Sequence, residues 1–191
     1  MTFDKAHPSK KDQEIKENVD FTMDKASSGG ADGYNALMSS VNGAEMTYRK
    51  DPEALKSYQA KVAEGLQESG QLSQYAEIWA KQNFDRLNQG SGDKILSRGE
   101  VSKDNARNPL EEAFLKDLSS RYESLQSNRG PFGIAGKAGA IREEDLENVI
   151  EKRSKGRDVE QVKSHTADRE TASNSDLQRL TSNMLSNDGD P

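Results

Sequence analysis

The chain has 191 residues, of which 31% are hydrophobic and 31% are charged, and its formal net charge is −6. A negative net charge without clusters of lysine and arginine argues against nucleic acid as the main partner. Proteins recognise phosphate groups through clustered basic side chains. The absence of cysteine excludes disulfides, thiolate nucleophiles and cysteine-ligated zinc. With so few apolar residues, we expect a modest core and disordered termini.

No segment has the unbroken apolar length of a membrane span, so no membrane association is expected. The N-terminus lacks the apolar stretch of a signal peptide, which favours a cytoplasmic location and leaves export by another route open. The two histidines, His7 and His165, lie in polar segments. Neither is expected to belong to a catalytic triad or a zinc site.

Residues 1–33 contain few apolar positions and end in SSGGADG. This composition predicts a disordered N-terminal tail, with at most a transient helix over residues 12–24. A helical domain is predicted over residues 34–153. Its first segment, residues 34–46, carries a short apolar set that is compatible with one helix or with docking segments.

A well-marked helix is predicted to start at Asp51-Pro52, where a capping side chain precedes a proline in the first helical position. Apolar residues then recur at helical spacing, and Gly70 indicates the end. The next helix is predicted from about Ser73 to the turn formers NQGSGD, and a short helix over residues 97–105.

Asn108-Pro109 repeats the pattern of a helix start, and the apolar stripe that follows predicts a helix as far as Leu125. The glycine-rich stretch GPFGIAGKAG, residues 130–139, fails the spacing G-x-x-x-x-G-K-[ST] of a phosphate loop and is predicted to be a long inter-helix loop. A further helix is predicted from about residue 142 to residue 153, with acids first and bases last.

Residues 154–191 are predicted to form a mostly disordered C-terminal tail with a short helix over residues 175–186. An isolated helix of this length is marginal, so its apolar face is expected to dock on the core or on a partner. The residues of this face, which are candidates for intramolecular docking, are Leu177, Leu180, Met184 and Leu185.

Two segments read alike when they are aligned on their aromatic residues, NFDRLNQGSGDKILSRGEV and RYESLQSNRGPFGIAGKAGAIREEDL. Each contains an aromatic residue, a leucine three positions later, a loop, an aliphatic residue and an acid. The aromatic residues Phe84 and Tyr122 are 38 positions apart, and the acids Glu100 and Asp145 are 45 positions apart. The second loop is therefore longer than the first.

This repeat resembles a degenerate pair of EF-hands over about residues 73–153, with one helix–loop–helix at 73–106 and the other at 108–153. The resemblance implies an all-α fold, in which an EF-hand-like paired core carries additional N-terminal helices. Whether residues 34–70 pack on this core or form an arm is left open by the sequence.

In an EF-hand pair, an aliphatic residue late in each loop makes a short strand contact with the other loop. Leu96 or Ile95 would take this role in the first loop, and Ile141 in the second. The acid that leaves each loop would be the bidentate calcium ligand, which corresponds to Glu100 and Asp145.

The first loop matches the calcium-binding pattern D-x-[DN]-x-[DN]-G-x₅-E poorly, because it is one residue too long. A rearranged site would use Asn88, Asp93 and Glu100, which supply two carboxylates, whereas calcium takes about six to eight oxygen ligands. The second loop contains no acid between Gln126 and Ile141. The expected cofactor is therefore none, or calcium at one weak site in the first loop.

The leading hypothesis is a non-enzymatic, EF-hand-like helical module that binds a protein partner. An EF-hand pair opens an apolar groove between its helices, which suits an amphipathic partner helix. The residues predicted to line this groove, or the core beneath it, are Trp79, Phe84, Phe114, Leu118 and Tyr122.

Two alternatives belong to other functional classes. A calcium sensor or buffer would use the loop at residues 88–100. A carboxylate acid/base enzyme would use Glu143, Glu144 and Asp145. These three acids at a helix N-terminus are more simply explained by compensation of the helix dipole.

Overall fold

The computed structural model describes residues 9–89, 94–126 and 140–156. This part of the chain is mostly helical, which confirms the all-α class. The elements in chain order are α1 (Lys10–Ala26), α2 (Gly30–Thr47), α3 (Pro52–Glu68), α4 (Leu72–Gln82), α5 (Phe84–Leu87), β1 (Ile95–Leu96), α6 (Pro109–Ser120), α7 (Tyr122–Leu125), β2 (Ile141–Arg142) and α8 (143–156). The glycine-rich loop and the predicted docking helix at 175–186 lie outside the described residues.

Helix α1 shows that the predicted disordered tail over residues 1–33 is wrong for much of its length. The helix begins at a capping box, in which the Ser9 hydroxyl accepts from the Asp12 N–H at 3.1 Å and the Asp12 carboxylate accepts from the Ser9 N–H at 3.2 Å. Ile15 and Val19 are buried, and α1 packs on α2 and α3. A few buried apolar residues among many charges, with Ala26 at the end of the helix, are enough here because neighbouring helices supply the rest of the core.

Hydrogen bonds between side chains fix α1 to the elements that follow it. The Thr22 and Tyr58 hydroxyls are 2.7 Å apart in a buried contact between α1 and α3. The Asn18 amide donates to the Tyr48 hydroxyl at 2.6 Å, just beyond the end of α2. Helices α1, α2 and α3 therefore pack against one another.

The two helix starts predicted from an Asx–Pro pair are confirmed. The Asp51 carboxylate accepts from the Ala54 N–H at 3.0 Å at the start of α3. The Asn108 side chain accepts from the Glu111 N–H at 2.9 Å at the start of α6. In both helices a proline follows the cap directly, as expected for a residue that has no N–H to satisfy.

The predicted short helix over residues 97–105 is wrong. Turns are present over residues 98–101, and they are followed by one turn of 3₁₀ helix at Lys103–Asn105. The Asn105 amide donates to the carbonyls of Gly99 and Glu100 at 2.9 and 3.0 Å. The Asn105 side chain thus donates to two carbonyls that a continuing helix would bond through its backbone N–H groups. The segment therefore forms a compact turn.

The helices predicted over 73–87 and 108–125 are each interrupted near their ends. The first divides into α4 and α5 at Asn83, and the second divides into α6 and α7 at Arg121. These two positions are 38 residues apart, which is the spacing of the repeat before its loops. The two segments therefore share a bend that the sequence repeat alone did not reveal.

One hydrophobic core contains residues from α1 to α8 within the compact unit that ends at Ile150. Residues 34–70 belong to this core, since α2 packs on α4, and α3 packs on α4 and α6. The Tyr34 and Tyr75 rings meet edge to face across α2 and α4, with their centroids 6.1 Å apart. In the described ranges, no helix is both long and apolar enough to cross a membrane.

Candidate functional site

The two halves of the repeat meet through a short antiparallel contact between β1 and β2. Leu96 lies opposite Ile141 and Ile95 lies opposite Arg142. Leu96 and Ile141 are fully buried, and the Tyr122 hydroxyl donates to the Leu96 carbonyl at 2.8 Å. The strand contact predicted for these positions is confirmed.

The acids that leave the two loops accept hydrogen bonds from the backbone in the same way. Glu100 Oε2 accepts from both the N–H and the hydroxyl of Ser97 at 2.7 Å. Asp145 Oδ2 accepts from the Arg142 N–H at 2.9 Å. In each case the carboxylate satisfies a donor three residues earlier, as the acid of a capping box does at the start of a helix. Both acids therefore have a local structural role.

The three predicted calcium ligands do not form a complete group in the part of the chain that the structure describes. Asn88 is buried at the end of α5, where its N–H donates to the Phe84 carbonyl at 2.8 Å. Glu100 bonds to Ser97 as described above, and Asp93 lies outside the described residues. No cluster of three or more metal-ligating side chains is present in the described ranges. Calcium binding stays a prediction.

The five aromatic and aliphatic residues predicted to line a partner groove, or the core beneath it, are all core residues. Each is 3% exposed or less, and the Trp79 and Phe114 rings pack with their centroids 5.6 Å apart. The apolar face of α4 and α6 is covered by α2 and α3 of the same chain. A partner therefore cannot contact Phe84, Leu118 or Tyr122 while the helices are packed in this way.

A buried polar network joins α4 to the end of α6, and the sequence patterns did not predict it. Arg121 Nη1 pairs with Glu77 Oε1 at 2.6 Å, and the same guanidinium pairs with Asp117. The Ser73 hydroxyl donates to Asp117 at 2.9 Å. The available signal was an acid, Glu77, within the apolar run YAEIWA of α4. Because buried charges must be paired, these contacts fix the angle between the two helices.

Two open cavities flank the contact between α3 and α6. The first has a volume of about 570 Å³ and is lined by small and charged side chains, among them Ala60, Ala63, Ala113, Glu112 and Lys116. The second has a volume of about 660 Å³ and lies between the first half of α3, residues 103–108 and the first turn of α6. Sequence patterns did not indicate either cavity.

No protein-family model, curated protein sequence or solved structure matches this chain. The chemical capacity of the site is therefore judged from its own contacts. The carboxylates of Glu100 and Asp145 serve backbone N–H groups, and Glu77 and Asp117 serve Arg121. These acids therefore have structural partners within the chain.

Proposed function

We propose that this chain is a non-enzymatic, EF-hand-like helical module that binds a protein partner. The observation that carries the proposal is the antiparallel contact of Leu96 with Ile141. It joins two segments whose entering helices bend at equivalent positions and whose exit acids make equivalent bonds. In the first segment, turns and one turn of 3₁₀ helix take the place of the exiting helix. This combination supports an EF-hand-like frame in which both exit acids bond to the backbone of the chain.

The open surface between α3 and α6 supports a protein as the partner. The small residues Ala60, Ala63 and Ala113 line the first cavity, so a partner side chain can approach the helices closely. Glu112 and Lys116 lie at its edge, exposed and four residues apart on α6. An apolar floor with a charged rim is the usual composition of a protein interface.

A charge exchange at this rim tests the proposal. The double variant Glu112→Lys/Lys116→Glu keeps the net charge and the helical spacing while it reverses the surface pattern. The matched control is Lys16→Glu/Asp20→Lys, which reverses an exposed ion pair of 2.7 Å on α1. The tagged full chain and both variants are used to purify bound proteins, and the stoichiometry of each complex is measured by sedimentation.

We expect the wild-type chain and the α1 control to retain the same protein at a fixed stoichiometry, and the α6 variant to lose it. If the wild-type chain retains no protein at a fixed stoichiometry, the proposed function is wrong. If both variants retain the protein equally, the function stands and the interface lies elsewhere. Calcium dependence of the complex would favour the sensor alternative at residues 88–100.

A further inference from the structure

The second cavity, of about 660 Å³, contains a polar side chain in an otherwise packed helix interface. Gln59 lies in the middle of α3, is only 2% exposed and lines this cavity. No described residue forms a hydrogen bond with its side-chain amide. Because this nearly buried side chain borders the cavity, its amide can pair with a polar group that enters there.

One neighbouring group, the guanidinium of Arg86, adjoins the carboxylate of Glu111, which lines the same cavity. Arg86 Nη2 lies 3.2 Å from Glu111 Oε1, and yet this buried nitrogen has no aligned hydrogen bond. The Tyr34 side chain is also buried. Burial, together with the negative charge of Glu111, raises the pKa of Tyr34 and keeps its hydroxyl protonated.

The charges around the cavity do not select an ion of either sign. Three basic residues and three acidic residues line it, so the formal charges cancel. Two of the acids, Glu111 and Glu112, lie in the first turn of α6, where they offset the attraction of a helix N-terminus for anions. Leu55, Ala106 and the two prolines that begin α3 and α6 supply apolar wall. The lining suits a neutral ligand with one amide group and one apolar group.

We propose that this cavity binds an extended peptide segment of the protein partner, with a main-chain amide of that segment paired to the side chain of Gln59. A peptide group offers one N–H donor and one carbonyl acceptor, which are the complements of the carboxamide oxygen and nitrogen. An apolar side chain of the peptide then lies against Leu55 and Ala106. This inference rests on the proposed function and assigns the site to the partner's backbone.

The probe for the test is N-acetyl-leucine-N-methylamide, which carries two peptide groups and one apolar side chain. It is titrated into the isotope-labelled full chain, and the NMR signals of the Gln59 side-chain amide and of the residues lining the cavity are followed. The test variants are Gln59→Leu and Gln59→Met, which keep an apolar side chain of similar size in the buried position. The control is Gln67→Leu, on the same helix but lining the first cavity.

We expect saturable shifts at Gln59 and around it, and an affinity about tenfold lower in either Gln59 variant, as for the loss of one or two hydrogen bonds. The Gln67 control should bind as the wild-type chain does. Equal affinity in the wild-type chain and a folded Gln59 variant would overturn the proposal, and so would the absence of shifts at Gln59.

The captured protein from the charge-exchange experiment separates this inference from the proposed function. If that protein binds the Gln59→Leu chain as tightly as the wild-type chain, the peptide site is wrong and the function stands. If the probe binds at Gln59 but no protein is captured, the cavity recognises peptide groups and the proposed function is wrong.

Discussion

Gly33 lies where α2 passes closest to the end of α1 and to α4. A side-chain carbon at this position would lie 2.7 Å from the Ala26 carbonyl oxygen and would also overlap the Tyr75 hydroxyl. That hydroxyl donates to the same carbonyl, so neither atom can move without loss of a buried hydrogen bond. Glycine is therefore required here by close packing.

We predict that Gly33→Ala lowers the free energy of unfolding by about 1–3 kcal/mol, because it overpacks a buried contact. The matched control is Gly43→Ala in the same helix, where an added carbon meets no atom within 4 Å. That substitution should raise stability by about 0.5–1 kcal/mol, since alanine favours a helix interior. Urea unfolding measures both values; a Gly33→Ala variant as stable as the wild type would contradict the described packing.

Asp145 provides a second test at the level of a single residue. Its buried carboxylate accepts from the Arg142 N–H, at the point where β2 leads into α8. We predict that Asp145→Ala lowers the free energy of unfolding by about 1–3 kcal/mol, because the Arg142 N–H loses its hydrogen-bond acceptor. Asp145→Asn keeps an acceptor and should lose less. If the two variants are equally stable in a urea titration, the bond does not contribute.

At the level of elements, α1 is the largest difference between sequence-based expectation and structure. Its sequence, KKDQEIKENVDFTMDKA, is mostly charged, and composition alone predicted a tail. The signals for the helix were the Ser9–Asp12 capping pair and the four-residue spacing of Ile15 and Val19. These signals are weak because an isolated amphipathic helix is marginal in water and depends on tertiary packing.

We predict that Ile15→Ala destabilises the whole protein by about 2–4 kcal/mol, because it leaves a cavity between α1 and its neighbours. Phe21→Ala is the control in the same helix, since the Phe21 side chain is 58% exposed. Its effect should stay within about 0.5 kcal/mol. Thermal or urea unfolding distinguishes this account from a disordered tail, in which the two substitutions would be equally silent.

The sequence predicted those elements that are defined by local chemistry. The caps at Asp51 and Asn108 were correct, because an Asx–Pro pair satisfies free N–H groups within one turn. The bends at Asn83 and Arg121 and the network around Glu77 were missed. They depend on how α4 meets α6, and a hydrophobic pattern indicates an apolar face without identifying what covers it.

For the whole molecule, the repeat allowed the pairing of the two halves to be predicted, whereas for the five candidate partner residues the sequence left a groove and the core beneath it as alternatives. The match of Leu96 to Ile141 follows from equivalent positions in a repeat, so the amino-acid sequence was sufficient to predict it. The packing of α2 on α4 and of α3 on α6 is tertiary structure, which a repeat does not indicate. The available surface therefore lies between α3 and α6, where the two cavities open.

We propose that this EF-hand-like frame is held by its own contacts and acts as a binding module that has no calcium site, or only a weak one. The most direct measurement is a calcium titration of the isotope-labelled full chain, with magnesium as the control, followed by amide NMR shifts and Trp79 fluorescence. Up to about 1 mM calcium, the weak end of EF-hand affinities, we predict no saturable shift at Ser97, Glu100 or Asp145. Saturable calcium-specific shifts at Ser97 and Glu100, with a change in Trp79 fluorescence, would contradict the claim and identify a calcium-responsive protein.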